Sequence, residues 1–384
     1  MKVVLISSLP RDLNSVKSGV DAVVINLIKG FELYPEVSFL IISIGKSDHE
    51  ASVKYADNIT IHYLRKKSLF GGILNYYLFD ARKAVQKIIL EFKADIVHMQ
   101  GASPMLFCLR GLCKKKIVIT QHGIMAEEIN YQNRRFDKLK FWVKKLVERY
   151  YFPKFRNYTF ISNYNRVFLE QLKGDQQYKG ELIYNPVNPV FFDLKTHDTF
   201  HNRIVYVGVI NSRKNLLCLL RAIQGIKNKT DKLKLDVIGG FKDEAYKNKI
   251  LQFVRENNLQ DDIRFLGWKS QPEVLELYKK VDLFVLPSLQ ESLPVSIAEA
   301  MAAGRPVIAA DVGGVTEMIS HEESGYVFRS NKSIELGTYL MRFCNGDVSY
   351  SEFAKNAREE AVKKFHPRNV AAQTIEFYKT ILEN

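Results

Sequence analysis

Two carboxylates, Glu291 and Glu299, are separated by seven residues in the segment 282–318, which runs from Asp282-Leu283-Phe284-Val285-Leu286 to Gly313-Gly314-Val315-Thr316-Glu317-Met318-Ile319. The residue types predict a buried strand ending at Pro287-Ser288, a short loop carrying Glu291, and then an Ala-rich helix. Pro294 suits the first helical position and Ser292 is the expected N-cap. Gly304 ends the helix, Pro306 blocks its continuation, and another strand follows at 306–310. Unpaired N–H groups and the helix dipole at such a start favour a phosphate or diphosphate. Glu299 falls about five residues into the helix, roughly 7.5 Å along its axis. Carboxylates so separated can accept hydrogen bonds from two sets of hydroxyls, those of a sugar at one and of a ribose at the other. The spacing alone better describes two surface carboxylates on an ordinary amphipathic helix. It is the strand–loop–helix–Gly-x-Pro–strand context that favours a ligand.

Such a loop must be carried by a sheet. Short apolar runs at 3–7, 38–44, 95–99, 116–120 and 158–162 alternate with longer helical patterns, and a second series lies at 203–207, 234–238, 263–266, 282–286 and 306–310. Continuous apolar strands of this length suit sheets buried on both faces, and their alternation with helices implies βαβ units and parallel pairing. The chain is therefore predicted to be α/β, with two doubly wound, Rossmann-like domains at 1–188 and 200–367. The joint lies at 185–200, where Asn185-Pro186-Val187-Asn188-Pro189 and a polar stretch interrupt the pattern. Ligands of parallel sheets bind beyond the carboxyl ends of the strands, so two facing sheets would place a cleft between the domains.

The segment around Glu291 and Glu299 resembles the E-x7-E signature of retaining glycosyltransferases of the GT-B fold, family four type. The likeness covers Glu299-Ala300-Met301-Ala302, Gly304, Pro306-Val307-Ile308-Ala309, and Gly313-Gly314 with Glu317. Ser292-Leu293-Pro294-Val295 stands where many members have a Gly-Phe-Gly-like loop. In the second series, Val207-Gly208 through Lys214-Asn215 resembles the loop that grips the donor diphosphate. Lys214 fits the family Lys, but Val209 stands where an Arg is usual, so Arg213 is the candidate second cation. Gly239-Gly240 and Gly267-Trp268 resemble the turns beside the nucleotide. Lys17-Ser18-Gly19-Val20 resembles, with one glycine only, the loop by which the first domain approaches the diphosphate. Gln121-His122-Gly123 resembles the site of a His that faces the transferred sugar; His98 looks like core. The terminal helix, about 368–384, is similar to one that packs back onto the first domain.

The resemblance implies transfer of a hexose or N-acetylhexosamine from a nucleoside diphosphate sugar, UDP by default, to a glycan or lipid-linked acceptor in bacterial surface polysaccharide synthesis. It implies retention of configuration, with Glu291 on sugar hydroxyls, Glu299 on the ribose, Lys214 and Arg213 on the diphosphate, and His122 positioning the sugar. No cofactor and no metal is expected, and the chain has no Asp-x-Asp metal motif. A nucleotide-sugar epimerase and a catalytically silent binding protein of the same fold are the alternatives.

Charge adds a partner class. The net charge is +14, and residues 1–190 hold 29 Lys+Arg against 17 Asp+Glu, while 110–156 alone hold 13 against 4. Such a field implies an anionic partner. Nucleic acid is not expected, since no recognition pattern for it is visible. Residues 134–150 predict a helix whose apolar stripe, Phe136, Leu139, Val143, Leu146, Val147 and Tyr150, packs on the core. Its basic face, Lys138, Lys144, Lys145 and Arg149 with Lys114-Lys115-Lys116 nearby, suits anionic lipid, with Phe141 and Trp142 at the interface. Cys108, Cys113, Cys218 and Cys344 form no CxxC pair and read as buried thiols in a reducing compartment. With no signal-like leader and no apolar run of membrane-spanning length, the expected location is cytoplasmic, peripheral on the inner face of the membrane.

Overall fold

Strand β1 (Lys2–Ser7) turns Val4 and Ile6 into one apolar cluster and Val3 and Leu5 into another, so its sheet is buried on both faces. The computed structural model describes residues 1–13, 18–65, 76–101, 104–131, 135–230 and 232–383. Lys17, Arg134 and the side chains of Lys115, Arg135 and Phe136 lie outside the described residues. Helix α1 (Gly19–Phe31) follows β1, with the Ser18 hydroxyl accepting a hydrogen bond from the Asp21 amide. Next come β2 (Ser38–Ser47), β3 (Ala51–Ala56), β4 (Ile59–Arg65), α2 (Ala81–Phe92), β5 (Ile96–Gln100) and β6 (Ile117–Gln121). The short α3 (Met125–Glu128), α4 (Arg135–Tyr150), β7 (Asn157–Phe160), α5 (Asn163–Lys173) and β8 (Lys179–Leu182) complete this part. Its sheet has the order β3-β4-β2-β1-β5-β6-β7-β8, parallel except for the β3–β4 pair.

A second sheet is built from β9 (Arg203–Val207), α6 (Leu216–Ile226), β10 (Lys234–Ile238), α7 (Glu244–Glu256), β11 (Ile263–Gly267) and α8 (Gln271–Tyr278). It continues through β12 (Leu283–Leu286), α9 (Val295–Ala302), β13 (Val307–Ala310), β14 (Gly325–Phe328), α10 (Ser333–Cys344) and α11 (Tyr350–Phe365). All its strands are parallel, in the order β11-β10-β9-β12-β13-β14. The chain then turns at Pro367 into α12 (Pro367–Leu382). Contacts divide the molecule into one unit of Met1–Pro186 with Pro367–Asn384 and another of Val187–His366. Helix α12 packs on α1 so closely that a Cβ at Gly30 would overlap the Pro367 carbonyl and the Ala371 side chain.

The two parallel α/β sheets are those the apolar runs predict. Four strands escape that reading. Edge strand β3 leaves Val53 half exposed, and β4 alternates buried with half-buried positions. Neither shows the continuous apolar run of a strand covered on both faces, and β8 and the four-residue β14 are too short or too polar to stand out. Among the described residues no helix is long and apolar enough to cross a membrane.

Candidate active site

The second sheet reverses its winding between β9 and β12, and the loops leaving these two neighbours carry Lys214 and Glu291. A switch point of this kind opens a crevice at the carboxyl ends of a parallel sheet. After β9 the chain makes a tight turn in which the Asn211 side chain accepts from the Lys214 amide at 3.0 Å, and Asn215, with φ 50°, leads into α6. After β12 the Leu289 amide donates to the Arg213 carbonyl at 2.8 Å, hooking one loop onto the other. Lys214 Nζ then meets Glu291 Oε1 at 2.5 Å, with the side chains only 13% and 6% exposed. Arg213 Nη1 lies 3.9 Å from Glu291 Oε2 and donates to Gln290 through its carbonyl and its side-chain Oε1, at 3.2 and 2.9 Å.

Burial alone would raise the Glu291 pKa. The cations of Lys214 and Arg213 outweigh it and hold the carboxyl below its ordinary value. Glu299, on α9, has no cation beside it among the described residues. Desolvation raises it to about 8, and no hydrogen bond to its carboxylate occurs among the described residues. One short segment thus holds one acid below its ordinary pKa and the other above it.

The strand ends beside this pair come together through glycine. Gly208 follows β9, and its carbonyl occupies the space where a Cβ on Gly239 would stand. Gly239, with φ 136°, donates to the Gly267 carbonyl at 2.8 Å, and Gly240 has no room for a Cβ because the Trp268 indole covers it. Gly208, Gly239, Gly267 and the largely exposed Trp268 therefore form one surface at the ends of β9, β10 and β11, with the Lys214 side chain next to Gly208.

Helix α9 differs from expectation at its start. It begins at Val295, and Pro294, in an extended conformation, occupies the cap position with no side-chain hydrogen bond. Ser292 is not the N-cap: it lies too far upstream, its carbonyl accepts from the Gly314 amide at 3.0 Å, and its buried hydroxyl has no partner among the described residues. Leu293 is buried beside it. At the other end Gly304, with φ 67°, closes the helix, and Arg305 donates back to the Ala300 carbonyl.

Gly19 and His122 belong to the other unit. Gly19 is the first residue of α1, and a Cβ on it would meet nothing within 4 Å among the described residues. His122 follows β6, its Nε2 2.7 Å from Gln100 Oε1 at the end of β5. Burial lowers its pKa to about 4, so the ring is neutral. The turn after it is held by Glu148 of α4, which accepts from the Gln121 side chain and from the amides of Met125 and Ala126 at 2.6, 2.9 and 3.0 Å.

Residues 192–360 match the family described as Glycosyl transferases group 1, and residues 18–191 the family described as Glycosyltransferase Family 4. The chain is a glycosyltransferase of the GT-B fold. An uncharacterised glycosyltransferase of Methanocaldococcus jannaschii is 28% identical over 314 residues, 80% of this chain and 81% of the relative. The amylovoran biosynthesis glycosyltransferase AmsK of Erwinia amylovora is 27% identical over 203 residues, 51% of this chain and 49% of its own. Among solved structures, Anabaena HepE in complex with UDP and glucose superposes with a TM-score of 0.72 at 17% identity, covering 99% of this chain and 100% of that one.

Several residues of this glycosyltransferase that hold the loops at the strand ends of one unit or the other carry no local signal. Gln290 and Gln100 are single amides in ordinary contexts, and Glu148 sits within a basic helix, where it reads as a surface acid. Its burial in fact raises its pKa to about 7, against the pull of the two amides. The apolar stripe of α4 is not a core stripe: Leu139 and Tyr150 are 58% and 62% exposed, Trp142 is 51% exposed, and Val147 and Glu148 make the buried contact. Cys113 is exposed, unlike the buried Cys108 and Cys218, because it lies in a turn before Lys114. His197, His201 and Asp282 also converge, at the start of β12, opposite to its Glu291 end. Asp282 there accepts the amides of His201 and Arg203 at 3.0 Å and faces both imidazoles at 2.8 and 3.1 Å, which braces the strand's entry.

Proposed function

We propose that the enzyme moves a hexose or N-acetylhexosamine from a UDP-sugar, with retention of configuration, to a glycan or lipid-linked acceptor in bacterial surface polysaccharide synthesis. The observation that carries this reading is the Lys214–Glu291 pair, with Arg213, at the switch point of the second sheet. A diphosphate gains charge as the sugar leaves it, and fixed cations in a low-dielectric site stabilise that charge with no metal or cofactor. In this reading Lys214 and Arg213 meet the diphosphate, and Glu291, kept ionised by them, accepts from sugar hydroxyls. Glu299 accepts from the ribose, His122 from a sugar hydroxyl, and the surface of Gly208, Gly239, Gly267 and Trp268 takes the nucleotide. Gly19, with nothing crowding it among the described residues, lets backbone approach the diphosphate. The acceptor oxygen attacks C1 on the face the diphosphate leaves. The C1–phosphate oxygen bond breaks, and the acceptor proton passes to the departing phosphate oxygen, so no protein nucleophile is used. UDP is favoured because a full-length neighbour in fold is a UDP complex.

Calorimetric titration with UDP, GDP, ADP and CMP tests the donor site. Wild type should bind UDP, and Lys214→Ala should bind it at least tenfold more weakly. A folded wild type that binds none of the four removes the donor assignment.

The exposed Leu139, Trp142 and Tyr150 on α4, with Lys138, Lys140 and Arg149 exposed among them, support peripheral docking on an anionic membrane from the cytoplasmic side. Sedimentation with phosphatidylglycerol vesicles at low salt should carry wild type down and leave Trp142→Ser/Leu139→Ser in solution. Failure of wild type to sediment retires the membrane partner.

A further inference from the structure

A hydrogen-bonded chain runs through the interior of the first unit. Tyr378 of α12 lies 2.5 Å from His98 Nδ1, and His98 Nε2 is 2.6 Å from the Thr120 hydroxyl, which in turn bonds that of Thr159. Gln100 Nε2 donates to His98 Nε2 at 3.2 Å, and Gln100 Oε1 faces His122 Nε2 at 2.7 Å. His98, Gln100, Thr120, Thr159 and Tyr378 are all buried. His98 is thus core, as its strand suggests, but polar core with every ring nitrogen engaged.

An amide has one donating and one accepting end, and this fixes both rings. Because Gln100 Nε2–H donates to His98 Nε2, that nitrogen is bare and the His98 proton is on Nδ1. Because Gln100 Oε1 only accepts, His122 must carry its proton on Nε2. His122 Nδ1 is then a bare acceptor, buried, and no group among the described residues meets it in hydrogen-bonding geometry. A buried polar atom left unpaired costs about 1–3 kcal/mol, a cost relieved when a hydroxyl donates to it. The Asn185 side chain also interacts with the ring and pulls its pKa up against burial, and His98 is a titratable neighbour.

We infer that Gln100 is a positioning residue that fixes His122 as the Nε2–H tautomer, so that Nδ1 is presented as an acceptor to a hydroxyl of the transferred sugar. The assignment of that hydroxyl rests on the function proposed above; the tautomer does not. Burial supports it, since it keeps both imidazoles neutral, His98 at about 3 and His122 at about 4. Were Asn185 to set the ring instead, its carbonyl would draw the proton to Nδ1.

Long-range 1H–15N correlation of the full chain labelled at its 8 histidines, with His122 assigned by its loss in His122→Ala, reads the tautomer directly. Wild type should show protonated Nε2 and bare Nδ1 at pH 7. In Gln100→Glu a carboxylate replaces the accepting amide, and the His122 titration midpoint should rise by about one pH unit or more. An Nδ1–H tautomer in wild type overturns the inference, as does an unmoved midpoint in folded Gln100→Glu. Should Gln100→Glu fail to fold, the wild-type tautomer still decides. The sugar contact is judged separately by turnover of the UDP-sugar in His122→Ala: full activity there retires the contact while the observed Nε2–H tautomer upholds Gln100 as its cause.

Discussion

At the strand ends of the second unit the polar groups are charged: Lys214 and Arg213 face Glu291, and the ion pair keeps the acid ionised against its burial. At the strand ends of the first unit they are neutral: His122 and His98 are held uncharged and linked through an amide. The two arrangements suit different tasks. Fixed charges are worth most where charge develops, as on a departing diphosphate. Neutral donors and acceptors orient hydroxyls, each bond being worth about 0.5–1.5 kcal/mol net. Glu299 stands between the two: it shares a segment with Glu291 yet has no cation beside it among the described residues, and its pKa moves the other way.

The largest expected effect breaks the comparison at its charged side. Lys214→Ala or Glu291→Ala should lower transfer at least ~100-fold, as for loss of a transition-state electrostatic contact, whereas His122→Ala should lose about tenfold, as for one neutral hydrogen bond. Equal losses from kinetic assays of the three variants would erase the distinction. Next in size is stability. Lys214→Met leaves the buried Glu291 carboxylate with Arg213 alone, 3.9 Å away, at a cost of up to about 3–5 kcal/mol, and Lys214→Met/Glu291→Gln should recover much of it. Urea unfolding of the double-mutant cycle measures this; additive losses would mean the pair is not coupled.

Glu299 sharpens the comparison by pH. Its folded pKa of about 8 exceeds the ordinary 4.5, so between these values the folded chain holds a proton that the unfolded chain has lost. Stability therefore falls as pH rises through that window. Glu299→Gln should gain more in Tm over wild type at pH 8.5 than at pH 5; a constant difference would place Glu299 in water. The smallest effect concerns binding. Ribose hydroxyls donating to Glu299 favour its ionised form, so UDP binding at pH 7 should release a fraction of a proton. Calorimetry in phosphate and in Tris would show this as a buffer-dependent enthalpy, absent in Glu299→Gln.

The sequence by itself determined the doubly wound α/β class, the ten most apolar strands, and the strand–loop–helix context of Glu291. Those features are local: strands buried on both faces must be continuous apolar runs, and a Gly-x-Pro stop is written in adjacent residues. Edge strand β3, half solvated, has no such run to read. Only the tertiary structure decided which groups share a charge or a proton. Lys214 meets Glu291, 77 positions away, because β9 and β12 are neighbours in the sheet. The His98–Tyr378 contact spans 280 positions because α12 returns to the first unit. The same long-range packing buried Glu148 and exposed Leu139 and Tyr150 on one helix, although its 3.6-residue pattern points the other way. Desolvation and charge pairing depend on distance in space, and helical periodicity records only which side chains share a face, not whether anything covers it.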